Sequence, residues 1–141
     1  MGRRLSRNVI SSATHVILTS LDVMGQTVIG EEFQTKDIRM APYFWAESFR
    51  FGGGSMGIEA IAAIRVQVIQ GLGHVIGEGM MTMDMIFTKL GKDGYFRHAL
   101  KLKNPHGIET SLFFTMKALS HQEVLDGISC VHSLNYRSSL R

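Results

Sequence analysis

The stretch Phe51–Gly73, FGGGSMGIEAIAAIRVQVIQGLG, constrains the fold more than any other part of the chain. Glycines and a serine lead into a long apolar run that carries one acid near its start, Glu59. Ser55 suits an N-cap and Gly71 or Gly73 a stop, so the pattern predicts a helix from about residue 56 to 70. Its isoleucines, valines and alanines occupy most of the circumference, and a helix apolar nearly all round is buried rather than laid on a surface. Ala60, Ala62 and Ala63 would let a neighbouring element approach closely.

A buried helix needs an apolar wrap, and the flanking sequence supplies strands. His15–Thr19 is rich in β-formers, and Gln26–Thr35 follows around the turn Met24-Gly25 as a second strand. Pro42–Phe49 is aromatic and reads as either a short helix or an irregular loop. Beyond the helix, Met80–Leu90, Tyr95–Lys103, Thr110–Leu119 and Ile128–Tyr136 each read as strands. The turns between them are Gly91-Lys-Asp-Gly94, Asn104-Pro-His-Gly107 and Asp126-Gly127, and Asp-Gly is a strong hairpin signal. Consecutive short turns give an antiparallel meander. The expected class is α+β: one central buried helix wrapped by a curved antiparallel sheet of five to seven strands, the hot-dog arrangement. An open sheet edge would favour edge-to-edge pairing into a homodimer.

Length and charge narrow the function classes. A chain of 141 residues suits one domain, with residues 1–13 read as a flexible basic arm and 14–141 as the domain. Arg3, Arg4 and Arg7 account for the net charge of +3, leaving 12 cations against 12 anions elsewhere. A basic arm without a basic face on the folded body argues against nucleic-acid binding. The longest apolar run, Ile58–Ile69, contains Glu59, Arg65 and Gln67 and falls short of the roughly 20 residues a membrane span needs. The arm lacks the continuous apolar region of a secretory signal, although its arginines and serines also admit a mitochondrial presequence. With one cysteine, Cys130, no intrachain disulfide can form, which is compatible with a reducing cytoplasm. The six histidines are scattered without paired spacing, so no metal site is expected.

Two motifs compete for the glycines. Gly52-x-Gly54-x-x-Gly57, with Glu78 about 20 residues on, matches the dinucleotide fingerprint in form, but that motif works only inside a parallel βαβ unit. Hairpins surround it here. The run Ser55-Met-Gly-Ile-Glu-Ala60 instead resembles the start of the central helix in the β-hydroxydecanoyl-acyl carrier protein dehydratase family, including dehydratase domains of polyunsaturated-fatty-acid and polyketide synthases. Tyr43-Phe-Trp-Ala-Glu-Ser-Phe49 is similar to that family's aromatic segment, and Val124–Cys130 to its closing hairpin. The resemblance spans most of residues 20–137, with its strongest identity in six residues.

The resemblance implies dehydration of a 3-hydroxyacyl thioester carried on acyl carrier protein or coenzyme A, with no cofactor. Glu59 would handle the leaving hydroxyl, and backbone N–H groups near Gly54 and Ser55 would meet the thioester carbonyl. Ser48 stands where the family has its histidine, and serine cannot take an α-proton near neutral pH without its own base. Two alternatives therefore stand beside dehydration: a hot-dog acyl thioesterase using Glu59, and a catalytically silent partner subunit. Lys89, Lys92, Arg97, Lys101 and Lys103, offset only by Asp93, read as a solvated face or as a docking surface for an acidic carrier. Met80, Met81, Met83 and Met85 read as core packing or as the lining of an acyl-chain tunnel.

Overall fold

The computed structural model describes residues 13–52 and 57–119 in full and the backbone of 131–138. Eight strands form one antiparallel sheet: β1 (Thr14–Leu21), β2 (Thr27–Gln34), β3 (Tyr43–Trp45), β4 (Ala63–Gln70), β5 (His74–Thr82), β6 (Tyr95–Lys103), β7 (Glu109–Lys117) and β8 (Val131–Ser138). Their order across the sheet is β2-β1-β4-β5-β6-β7-β8-β3, one strand more than the upper bound expected. The only helical elements among the described residues are a 3-10 turn, Ile58–Ala60, and a six-residue α-helix, α1 (Met83–Thr88).

The long central helix does not form. Residues 58–60 make a single 3-10 turn, and Ala63–Gln70 is instead strand β4, sandwiched between β1 and β5. Ile61, Ile64 and Val68 do recur at helical spacing, but Ile64, Val66 and Val68 also alternate with Arg65 and Gln67. β-Branched side chains lose rotamer freedom on a helix and pack well on a pleated surface, so period two wins. Met80–Leu90 likewise splits, its first residues ending β5 and its remainder forming α1. The aromatic segment after Pro42 is neither helix nor loop at its start, because Tyr43–Trp45 pairs with β8 as an edge strand. The turns 91–94 and 104–107 fall where expected, whereas Asp126-Gly127 and the arm up to residue 12 lie outside the described residues.

What fills the centre in place of a helix is one layer of strand side chains. Val16 and Leu18 of β1, Ile64, Val66 and Val68 of β4, Met81 of β5, Phe96 and Leu102 of β6, and Leu112 and Phe114 of β7 belong to a single buried cluster. A sheet whose one face converges on a single cluster must curve around it. Alternation is cleanest on β6 and β7, where Phe96, Leu100 and Leu102 and then Thr110, Leu112, Phe114 and Met116 point inward.

The two edge strands are tied by the segment between them. Lys36 accepts a hydrogen bond at its carbonyl from the Trp45 indole N–H (2.8 Å), and its own N–H donates to the Glu47 carboxylate (2.8 Å). Phe33 of β2 stacks on Phe49 and meets Phe51 edge-on, at centroid separations of 5.4 and 5.0 Å. Aromatic pairs of this geometry add roughly 0.5–1.5 kcal/mol beyond burial.

Two irregularities shape the end of the sheet that matters below. On β2 the register jumps from Thr19↔Glu32 to Leu21↔Thr27, and Gly30 adopts a φ of +81° within that bulge. The bulge breaks the alternation, turning Val28 and Glu31 inward and leaving Ile29 exposed. Between β5 and β6 only Glu78↔Lys103 is in register, so the strands diverge toward the start of β6. α1 follows directly from β5 at that same end.

Candidate binding cavity

Thr82 is both the last residue of β5 and the N-cap of α1, its hydroxyl accepting the Met85 N–H at 3.1 Å. This bond satisfies one orphan donor of the first turn and lets the chain pass from strand to helix without a loop. The Met83 N–H donates to the Ala62 carbonyl (2.9 Å), pinning the helix start to the entry of β4. α1 buries Ile86 and leaves Phe87 about half exposed.

Beneath and beside α1 lies a cavity of about 230 Å³. Ile64 and Met116 line it from the sheet, Met83, Ile86 and Phe87 from α1, and Phe51, Gly52 and Ile58 from the opposite wall. Leu90 and the chain leaving β7, Lys117 to Leu119, complete it. A cavity of roughly 150 Å³ lined by aliphatic and aromatic groups stays dry and admits benzene, whereas drug-sized ligands occupy roughly 300–1,000 Å³. This one falls between and is mostly apolar, with Lys117 the one charged residue that lines it. Ile58 and Phe87 are partly exposed and stand at its mouth.

The wall opposite α1 depends on Glu31. This carboxylate is only 3% exposed, and its Oε1 accepts the Gly52 N–H at 2.9 Å. Gly52 has a φ of +80°, and a Cβ there would fall 2.8 Å from Ile58 Cβ. Only glycine gives both that backbone shape and the close approach of Ile58. Sequence reasoning missed Glu31. The available signal was Gly30 inside a strand pattern, which marks a bulge and with it a change in which side chains turn inward.

Of the residues expected to carry chemistry, the two that are described, Glu59 and Ser48, do not line this cavity. Glu59 sits exposed on the 3-10 turn and Ser48 is exposed after β3. Neither lines the cavity, although Ile58, the neighbour of Glu59, does. Gly54 and Ser55 lie outside the described residues. The buried position expected for Glu59 fails for the same reason as the helix: the residues after it become a strand, and the acid stays on the turn that leads in.

The basic set divides. Arg97, Lys101 and Lys103 alternate outward along β6 and are exposed, Lys89 is the C-cap of α1, and Lys92 lies in the turn that follows. Asp93 is not their only offset, because Glu78 of β5 and Glu109 of β7 both stand opposite Lys103 in register. Asp93 is held below the usual carboxylate range, chiefly by the Tyr95 N–H it accepts and also by Arg97. Arg97 (4.9 Å from the centroid) and Lys117 (5.7 Å) both stand over the Tyr95 ring.

Of the four methionines, Met81 is fully buried, Met80 is half exposed, Met85 packs against the core and Met83 lines the cavity. Both expected roles, packing and lining, therefore occur within one short run. His98 shares the inward face of β6 with Phe96, 5.3 Å away ring to ring. Its pKa is lowered from the ordinary value, first by burial and then by the positive charge of Lys89. No group of three or more potential metal ligands occurs among the described residues. No helix among them is long and apolar enough to cross a membrane.

Comparison with family models, with curated proteins and with solved structures finds no match for this chain.

Proposed function

We propose that this protein binds a small apolar molecule in the cavity beneath α1. The observation that carries the reading is the cavity itself: about 230 Å³, predominantly apolar in lining, with the lining residues Ile58 and Phe87 partly exposed. By proportion to the benzene case, about nine carbon atoms fit. A short helix capped by one threonine is an inexpensive cover to displace, since low-stability elements commonly gate binding sites.

The test is calorimetric titration with 1-octanol and with n-propylbenzene. Saturable binding with one site per chain and a negative heat-capacity change is expected. Ala118→Trp places an indole at the rim on an exposed residue whose backbone N–H bond to the Gly94 carbonyl is unaffected. It should lower affinity at least tenfold without moving the unfolding midpoint. No saturable heat from either ligand, or full affinity in Ala118→Trp, overturns the reading.

Hydroxyacyl-thioester chemistry is the second reading, and one observation favours it: Glu59 directly follows Ile58, a residue of the mouth. An acyl chain in the cavity would bring its thioester end near that carboxylate. Dehydratase or thioesterase action, an acyl carrier protein or coenzyme A as the thioester donor, and a homodimer or silent-partner role all belong to this second reading. Incubation with 3-hydroxyacyl and saturated acyl thioesters, following enoyl product and free thiol separately, distinguishes the two activities. Either should vanish in Glu59→Gln, and turnover that persists in that variant removes Glu59 from the chemistry.

A further inference from the structure

Outside the arm the charges of the chain balance, but the sheet does not spread them evenly. Every second residue of β6 and β7 faces away from the core, and these positions carry Arg97, Lys101, Lys103 and Lys117 against one acid, Glu109. Lys117 is already engaged over the Tyr95 ring, and Lys103 stands in register with both Glu78 and Glu109. Arg97 donates to Asp93 at 3.2 Å, yet its side chain stays 61% exposed. Lys101 has no hydrogen-bonded or ion-paired partner among the described residues.

The register sets Arg97 and Lys101 on either side of a row of exposed rings. Ala99, Phe113, Asn135 and Phe44 align across the neighbouring strands β6, β7, β8 and β3. Phe113 is 38% exposed and Phe44 50%, and both belong to the outward face because their chain neighbours Leu112, Phe114 and Trp45 are buried. Two strand spacings separate the two phenylalanines, roughly 10 Å. Two residues along the strands in one direction lies the pair Lys101↔Ser111, and two residues in the other lies Arg97↔Thr115. Rings in the middle are thus flanked on each side by a cation and a hydroxyl residue.

We infer that this outer face binds single-stranded nucleic acid, with bases stacked on Phe113 and Phe44 and phosphates meeting Lys101 and Arg97. Every base has a π-face, so such a platform takes a strand without reading its sequence. A duplex keeps its base faces covered by stacking and offers the rings nothing. An acidic peptide would use the cations and leave the aromatic row idle. The inference does not depend on the cavity, which faces the buried side of the same sheet through Ile64 and Met116. It also supplies what the charge count along the chain did not reveal, a basic face on the folded body beside the arginines of the arm.

The experiment titrates the full chain into labelled oligomers of deoxythymidine and of uridine, about ten nucleotides long, and follows fluorescence anisotropy at several salt concentrations. Saturable binding of either oligomer is expected, at least about tenfold tighter than a duplex of equal length, and the tighter of the two names the preferred strand. Phe113→Leu and Phe44→Leu keep an apolar side chain but remove the ring, and each should weaken binding about fivefold or more. Lys101→Gln should lower the slope of log affinity against log salt by about 0.7, a readout that remains if a phenylalanine variant folds poorly. Failure to bind either oligomer overturns the inference. So does full affinity in the Phe113→Leu/Phe44→Leu double variant, which would assign binding to charge elsewhere, Arg3, Arg4 and Arg7 included. An unchanged salt slope in Lys101→Gln, or displacement of the oligomer by polyglutamate as effective as by unlabelled oligomer, overturns it as well.

Discussion

Gly79→Ala tests how closely β6 packs against β5. A Cβ at Gly79 would lie 2.8 Å from Leu102 Cδ2, 3.1 Å from the Lys101 carbonyl oxygen and 3.2 Å from Leu100 Cδ2. Leu102 is fully buried, so its methyl group has little room to turn away, and the carbonyl belongs to the strand itself. Overpacking of this kind costs about 1–3 kcal/mol. Ala recovers roughly 0.4–1 kcal/mol by restricting the unfolded chain, because the Gly79 backbone is not left-handed. The expected net effect is about 1–2 kcal/mol of destabilisation. Urea unfolding followed by emission of Trp45, the chain's single tryptophan and itself buried, reads it directly. Leu102→Ala alone should cost about 2–5 kcal/mol through the cavity it leaves. In the double variant the closest clash is gone and the milder approaches to the Lys101 carbonyl and Leu100 remain, so the alanine at 79 should cost much less than it does alone. The coupling energy is then about 1–2 kcal/mol. A Gly79→Ala protein as stable as the original, or a double variant additive within about 0.5 kcal/mol, would refute the packing argument.

Other outcomes follow from single contacts. Thr82→Ala removes the cap of α1 and should cost about 1 kcal/mol, measured as a lower urea midpoint accompanied by weaker octanol binding. Glu31→Ala leaves the Gly52 N–H without its acceptor and should cost about 1–3 kcal/mol, whereas Glu31→Gln, which keeps a carbonyl there, should cost less than half as much. Equal losses in the two would show that charge, and not the acceptor, is what Glu31 supplies. His98 gives a pH dependence of known sign. Its folded pKa is lowered from 6.5, so below about that pH the unfolded chain binds more protons and stability falls as pH drops. The fall levels off once the folded value is passed, and His98→Gln should flatten it in urea midpoints taken from pH 8 to 5.

Much of the strand framework was legible from residue order. The ends of β6 coincide with the pattern because Tyr95–Lys103 alternates between turns rich in glycine, asparagine and aspartate. β7 and the first hairpin were legible for the same reason, each within a residue or two of its observed ends. A two-residue period bounded by turn formers is local information, and neighbouring strands of a meander need nothing else to find each other.

Other features depended on what lies far away in the chain. Ile61–Gln70 satisfies helical and strand periods together, and the choice was made by β1 and β5, which flank it with complete ladders. The inward turn of Glu31 depends on a bulge, and the value of that turn depends on Gly52, 21 residues later. The cavity draws on residues from 51 to 119 that share no motif, so no local pattern announces it. Sequence alone determined where strands can form, because the pleat repeats every two residues. Tertiary structure decided that Ala63–Gln70 enters the sheet instead of forming a helix across its centre, because two neighbouring strands satisfy its β-branched face better than a helix could.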